Sequence, residues 1–109
     1  MAIFMQLYYT GEHGAARAFV REMEETGIAA AIRQEPGNVL YRYFQPLDDP
    51  ETVLLLDAWA DQAALDAHHA TPMMAQLAAL RDKYDLHMRS QRTVTDDSAP
   101  DADAAFLRP

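Results

Sequence analysis

The chain has 109 residues, room for one domain and no more. Half of them are apolar and 24 % charged, a globular balance, and nine basic against seventeen acidic residues leave a net charge of −8, which argues against a nucleic-acid partner. The absence of cysteine excludes disulfides, thiolate nucleophiles, thiolate-held zinc and iron–sulfur clusters together.

Residues 3–9 alternate, with Ile3, Met5, Leu7 and Tyr9 on one face and Phe4, Gln6 and Tyr8 on the other. Both sets are largely apolar, which predicts a strand covered on both sides. Met1–Gln6 also lacks the basic stretch of a secretory signal, and no apolar run reaches the length of a membrane span. A soluble cytoplasmic protein without a membrane partner is the expectation. From about residue 13 the period lengthens, and Ala16, Phe19, Val20, Met23, Gly27 and Ala30 form one helical stripe. Arg21 and Glu25 stand at i,i+4 on the opposite side. Gly27 weakens this helix by up to about 1 kcal/mol, so a bend or early stop is expected there. Pro36-Gly37-Asn38 closes it.

Residues 39–44 are a β run, Pro46–Pro50 a turn cluster, and Thr52 to Trp59 a second strand, which together read as a hairpin. Asp61 is placed as the N-cap of a short helix over Gln62–His69. Thr71-Pro72 signals a second helix start, with Met73, Met74, Leu77, Leu80 and Tyr84 along its apolar stripe. Residues 86–94 alternate again. The order strand, helix, strand, strand, helix pair, strand is the βαββαβ pattern of an α+β ferredoxin-like domain, an antiparallel sheet with helices on one face. Since both strand faces are apolar and the helices cover one, a second copy is expected on the other, giving a homodimer. The expected organisation is a folded domain over residues 1–94 and an acidic C-terminal tail or docking arm over 95–109, where four aspartates precede Ala104-Ala105-Phe106-Leu107.

Three strings carry a family likeness: Glu35-Pro36-Gly37-Asn38 before the hairpin, Asp57-Ala58-Trp59-Ala60-Asp61 at its end, and Ala64 to Met74, which reads ALDAHHATPMM. Their order and spacing resemble the antibiotic biosynthesis monooxygenase (ABM) family, including its small quinol monooxygenases, over roughly residues 3–94. The resemblance implies a dimeric α/β-barrel and oxidation with neither prosthetic group nor metal. It departs at Met73, where many members carry a second histidine.

His68 shares a helical face with Leu65, and neutral imidazole can take a proton from a phenol, which makes it the candidate general base. With the family pattern this reading stands ahead of a structural histidine bonded to backbone. Trp59, the one tryptophan, suits the wall of an aromatic site as well as a core position. Asp57, two residues earlier on the same strand face, is expensive to bury alone and is expected to orient His68 or meet an arginine. Tyr41 and Met73 complete the candidate substrate contacts. His69, about 100° further round the helix, cannot readily share a metal with His68, and no other ligand spacing is present. The expected activity is a cofactor-independent monooxygenation of a small phenolic or quinol-type aromatic substrate by dioxygen. An isomerase, or a non-catalytic small-molecule binder on the same scaffold, is the alternative.

Overall fold

The computed structural model describes residues 1–98 and 100–109. Its elements are β1 (Ile3–Thr10), α1 (Ala15–Glu25), α2 (Ile28–Arg33), β2 (Asn38–Phe44), β3 (Thr52–Trp59), α3 (Gln62–His69), α4 (Met73–Lys83) and β4 (His87–Val94), followed by a 3-10 helix at Asp101–Phe106. The strands form one antiparallel sheet in the order β2-β3-β1-β4. This is the ferredoxin-like α+β arrangement that the element order predicts. Register sets Ile3 opposite Trp59, Met5 opposite Asp57, Leu7 opposite Leu55 and Tyr9 opposite Val53, so these residues share one face. All four helices pack on it. Phe19, Met23, Ala29, Ile32, Leu65, Leu77 and Leu80 meet Ile3, Tyr9, Tyr41, Leu55 and Trp59 in a single buried core.

The first helical stretch is two helices. Gly27 takes φ 80°, a left-handed conformation open to glycine at little cost, and the chain restarts with α2 in a new phase. The stripe therefore does not continue through Gly27 and Ala30, which are exposed; Ala29 and Ile32 are buried instead. The expected pairing of Arg21 with Glu25 does not form among the described residues. Ion pairs run between elements, from Arg33 to Glu24 and from Lys83 to Glu22. Arg33 also donates through Nε to the Tyr41 carbonyl at 2.8 Å, tying α2 to β2. Asp61 caps α3 as predicted, accepting from the Ala64 amide at 2.8 Å. Thr71 does not cap α4. Its hydroxyl turns back onto the His68 carbonyl at 2.8 Å, closing the end of α3.

The other sheet face bears Phe4, Gln6, Tyr8, Leu54 and Leu56, half-buried and free of helix, with the Arg89 guanidinium 3.8 Å over the Tyr8 ring. Beyond β4, the Thr95 amide donates to the Ala2 carbonyl and the Ala2 amide donates to the Thr95 hydroxyl, each at 3.0 Å, extending the β1–β4 pairing by one residue. Phe106 and Leu107 are exposed. Among the described residues no helix is long and apolar enough to cross a membrane.

Candidate active site

The helix pair α3–α4 does not close fully on the sheet, and a cavity of about 150 Å³ lies between them. Its walls are mostly apolar: Met5, Leu7 and Leu55 from the sheet, Met74 and Leu77 from α4, Met88 from β4. Asp57, His68, Tyr9 and Tyr41 complete the lining, with His69 and Arg81 at its more exposed edge.

His68 is the centre of the arrangement. Leu65 and His68 are the buried residues of α3, as their three-residue spacing requires, and His68 is 2 % exposed. Its Nδ1 lies 2.8 Å from Glu35 Oε2. Glu35 comes from the turn after α2, held there because its amide donates to the Ile32 carbonyl and its carbonyl accepts from the Asn38 amide. A carboxylate facing Nδ1 fixes the proton on that nitrogen when the ring is neutral, which leaves Nε2 with a free lone pair. The imidazole stacks on Trp59 with ring centres 4.6 Å apart and 23° between planes. Ring orientation is thus set from two directions.

Trp59 is fully buried beneath His68, and its Nε1–H donates to Asp57 Oδ1 at 2.6 Å. It supports the cavity from behind. Asp57 therefore satisfies its charge on the indole and leaves the imidazole to Glu35, a different division of labour from the one the sequence suggested. Burial pushes the Asp57 carboxyl above the usual carboxylate range, against the Trp59 hydrogen bond and the charges of His68 and His69, which pull it down. Tyr41 borders the cavity, placed beside Asp57 by the β2–β3 register. Met73 does not. It packs against the core, and its neighbour Met74 takes the wall position, because Met74 shares a helical stripe with Leu77 and Arg81 at i, i+3 and i+7.

Sequence reasoning did not single out Tyr9, Arg81 or His69 for this site, nor Glu35 for its bond to His68. Tyr9 carried a signal, its alternation with Met5 and Leu7. Arg81, on the last turn of α4, contacts Met88 Sδ at 3.0 Å at the cavity wall. His69 is exposed, with its ring centre 5.6 Å from that of His68. Among the described residues, no three histidine, aspartate or glutamate side chains are grouped as a metal site requires.

An antiparallel sheet in the order β2-β3-β1-β4, with a cavity lined by His68 and Asp57 under its second helix pair, is a ferredoxin-like α+β domain. The model of the antibiotic biosynthesis monooxygenase family matches residues 2–80, and the chain belongs to that family. No curated protein matches it in sequence. Solved structures share the fold. A candidate antibiotic biosynthesis monooxygenase from Deinococcus radiodurans superposes with a TM-score of 0.77 at 19 % identity, over 90 % of this chain and 96 % of that one. SnoaB, a cofactor-independent oxygenase from Streptomyces nogalater, gives 0.74 at 19 % identity over 92 % and 98 %. A further candidate monooxygenase from Nitrosomonas europaea gives 0.76 at 16 % identity over 91 % and 94 %.

Proposed function

We propose that the chain oxidises a small phenolic or quinol-type aromatic substrate with dioxygen, without metal or flavin, and that His68 is the general base. The carrying observation is the buried His68 on the wall of a largely apolar cavity, with the half-buried Glu35 carboxylate 2.8 Å from its Nδ1 behind that wall. Nε2 of the neutral ring takes the phenolic proton. The resulting phenolate, in a site shielded from water, is electron-rich enough to pass one electron to dioxygen. The phenoxyl radical and superoxide combine at a ring carbon, and the hydroperoxide so formed loses water to leave a carbonyl. The cavity volume supports a single-ring substrate, since a cavity of about 150 Å³ accommodates benzene. SnoaB, a cofactor-independent oxygenase of the same fold, supports the reaction class.

A homodimer is part of this reading. Phe4, Tyr8, Leu54 and Leu56 form an apolar sheet face that the helices leave uncovered, and a second copy packed sheet to sheet covers it. A stable monomer in light scattering at micromolar concentration would refute the dimer.

Asp57 shares the cavity with His68, and two acceptors there could also relay a proton between carbons, the isomerase reading. Oxygen consumption with a panel of monocyclic quinols and phenols in metal-free buffer separates the two. Uptake abolished in His68→Ala supports the oxygenase. Absence of uptake with every substrate, alongside solvent-proton exchange into hydroxyketones, would replace it with the isomerase.

A further inference from the structure

Two buried tyrosines, Tyr9 and Tyr41, and the half-buried Tyr43 cluster on the helix-facing side of the sheet, and packing does not account for the hydroxyls at the cavity wall. Tyr9 and Tyr41 are each 3 % exposed. Among the described residues, Tyr43 Oη is the buried side-chain polar atom left without a hydrogen-bond partner. The Tyr9 and Tyr41 hydroxyls differ from it in being open to the cavity that both residues line. Phenylalanine would fill either position with the same ring and similar strand preference, so what each tyrosine adds is a hydrogen-bonding hydroxyl at the cavity wall. The nearest carboxylate, Asp57, is engaged by Trp59 at 2.6 Å.

We infer that Tyr9 and Tyr41 are paired hydrogen-bond donors for an oxygen atom of the bound ligand, so that the site selects a single aromatic ring bearing a second oxygen acceptor besides the phenol that faces His68. This rests on the reading that the cavity is the substrate site. Burial keeps both phenols protonated, with Tyr9 pushed up to about 12 against the lowering effect of Arg81, so they donate throughout the neutral range. Preorganised neutral donors stabilise negative charge as it spreads from the deprotonated hydroxyl across the ring to that oxygen.

The test is binding, measured by calorimetry under nitrogen so that no turnover occurs. 4-Methoxyphenol and 4-ethylphenol have nearly the same shape, and only the first offers a second oxygen. Wild type is expected to prefer 4-methoxyphenol by about 2- to 10-fold, the range of one net hydrogen bond. Tyr9→Phe and Tyr41→Phe should each lower that ratio towards unity, while Tyr8→Phe, on the opposite sheet face, should leave it as in wild type. A wild-type ratio of one, a ratio unchanged in both cavity variants, or binding of neither phenol would overturn the inference. Since no step needs oxygen, a protein that fails every oxygen-uptake assay can still pass this one, and the reverse also holds.

Discussion

The turn that delivers Glu35 to His68 depends on Gly37. Gly37 has φ 81°, and a Cβ built there would sit 2.5 Å from Ala64 Cβ on α3. Ala64 lies one helical turn before His68, so any displacement of α3 at this point moves the imidazole away from its carboxylate. Gly37→Ala thus incurs two costs. The left-handed conformation costs a residue with a side chain about 1–2 kcal/mol. Relieving a carbon contact far inside the usual separation of about 3.5–4.0 Å adds an overpacking cost of about 1–3 kcal/mol. The sum, about 2–5 kcal/mol, lowers Tm by about 10–30 °C for a domain of this size. Gly27→Ala supplies the comparison, since Gly27 has φ 80° and nothing within 4 Å of a new Cβ, leaving the conformational cost alone. Thermal unfolding of the two variants should therefore differ by the steric contribution, with Gly37→Ala the less stable. In NMR spectra, the His68 ring should lose its single Nδ1–H tautomer in Gly37→Ala and keep it in Gly27→Ala. Equal Tm values for the two variants would refute the close approach of turn and helix.

His68→Ala should lower oxygen-uptake turnover by about 100- to 10,000-fold, the usual cost of removing a general base, with circular dichroism showing an intact fold. Asp57→Asn keeps an acceptor for Trp59 Nε1–H but removes a buried charge; because the folded carboxyl titrates above the usual range, its favourable contribution is lost as pH rises through that folded value. The variant should therefore melt above wild type at neutral pH, with the gap closing below about pH 4, the unperturbed aspartate pKa. The raised Tyr9 phenol gives the opposite end of the curve: stability should hold below the free tyrosine value of 10.0 and fall as pH rises from there towards about 12, with absorbance at 295 nm reporting its ionisation together with unfolding. Truncation after Thr95, which preserves the pairing with Ala2, should leave the Tm of the single chain unchanged, since Phe106 and Leu107 bury nothing in it. A drop in Tm or in dimer affinity would show that the arm docks on a partner.

Local chemistry was legible in the sequence. The two-residue alternation of β1, the Asp61 cap and the break at Gly27 each follow from backbone geometry within a few residues, and their order suffices for the ferredoxin-like fold. Leu65 and His68 on one face of α3 follow in the same way. The partners inside the site were not legible, because they are chosen by packing between distant segments. Glu35 and His68 are 33 residues apart, and nothing near either indicates that Glu35 rather than Asp57 reaches the imidazole. That choice is made by the two-residue step from Asp57 to Trp59 along β3, which lets the indole N–H claim the carboxylate, and by the close passage of the Gly37 turn under α3. Likewise Tyr9 and Tyr41 stand on strands separated by β3, and only sheet order and register bring both to the same cavity as His68. A strand pattern determines which face a side chain takes; which neighbours it meets there depends on the whole sheet and on the helices packed over it.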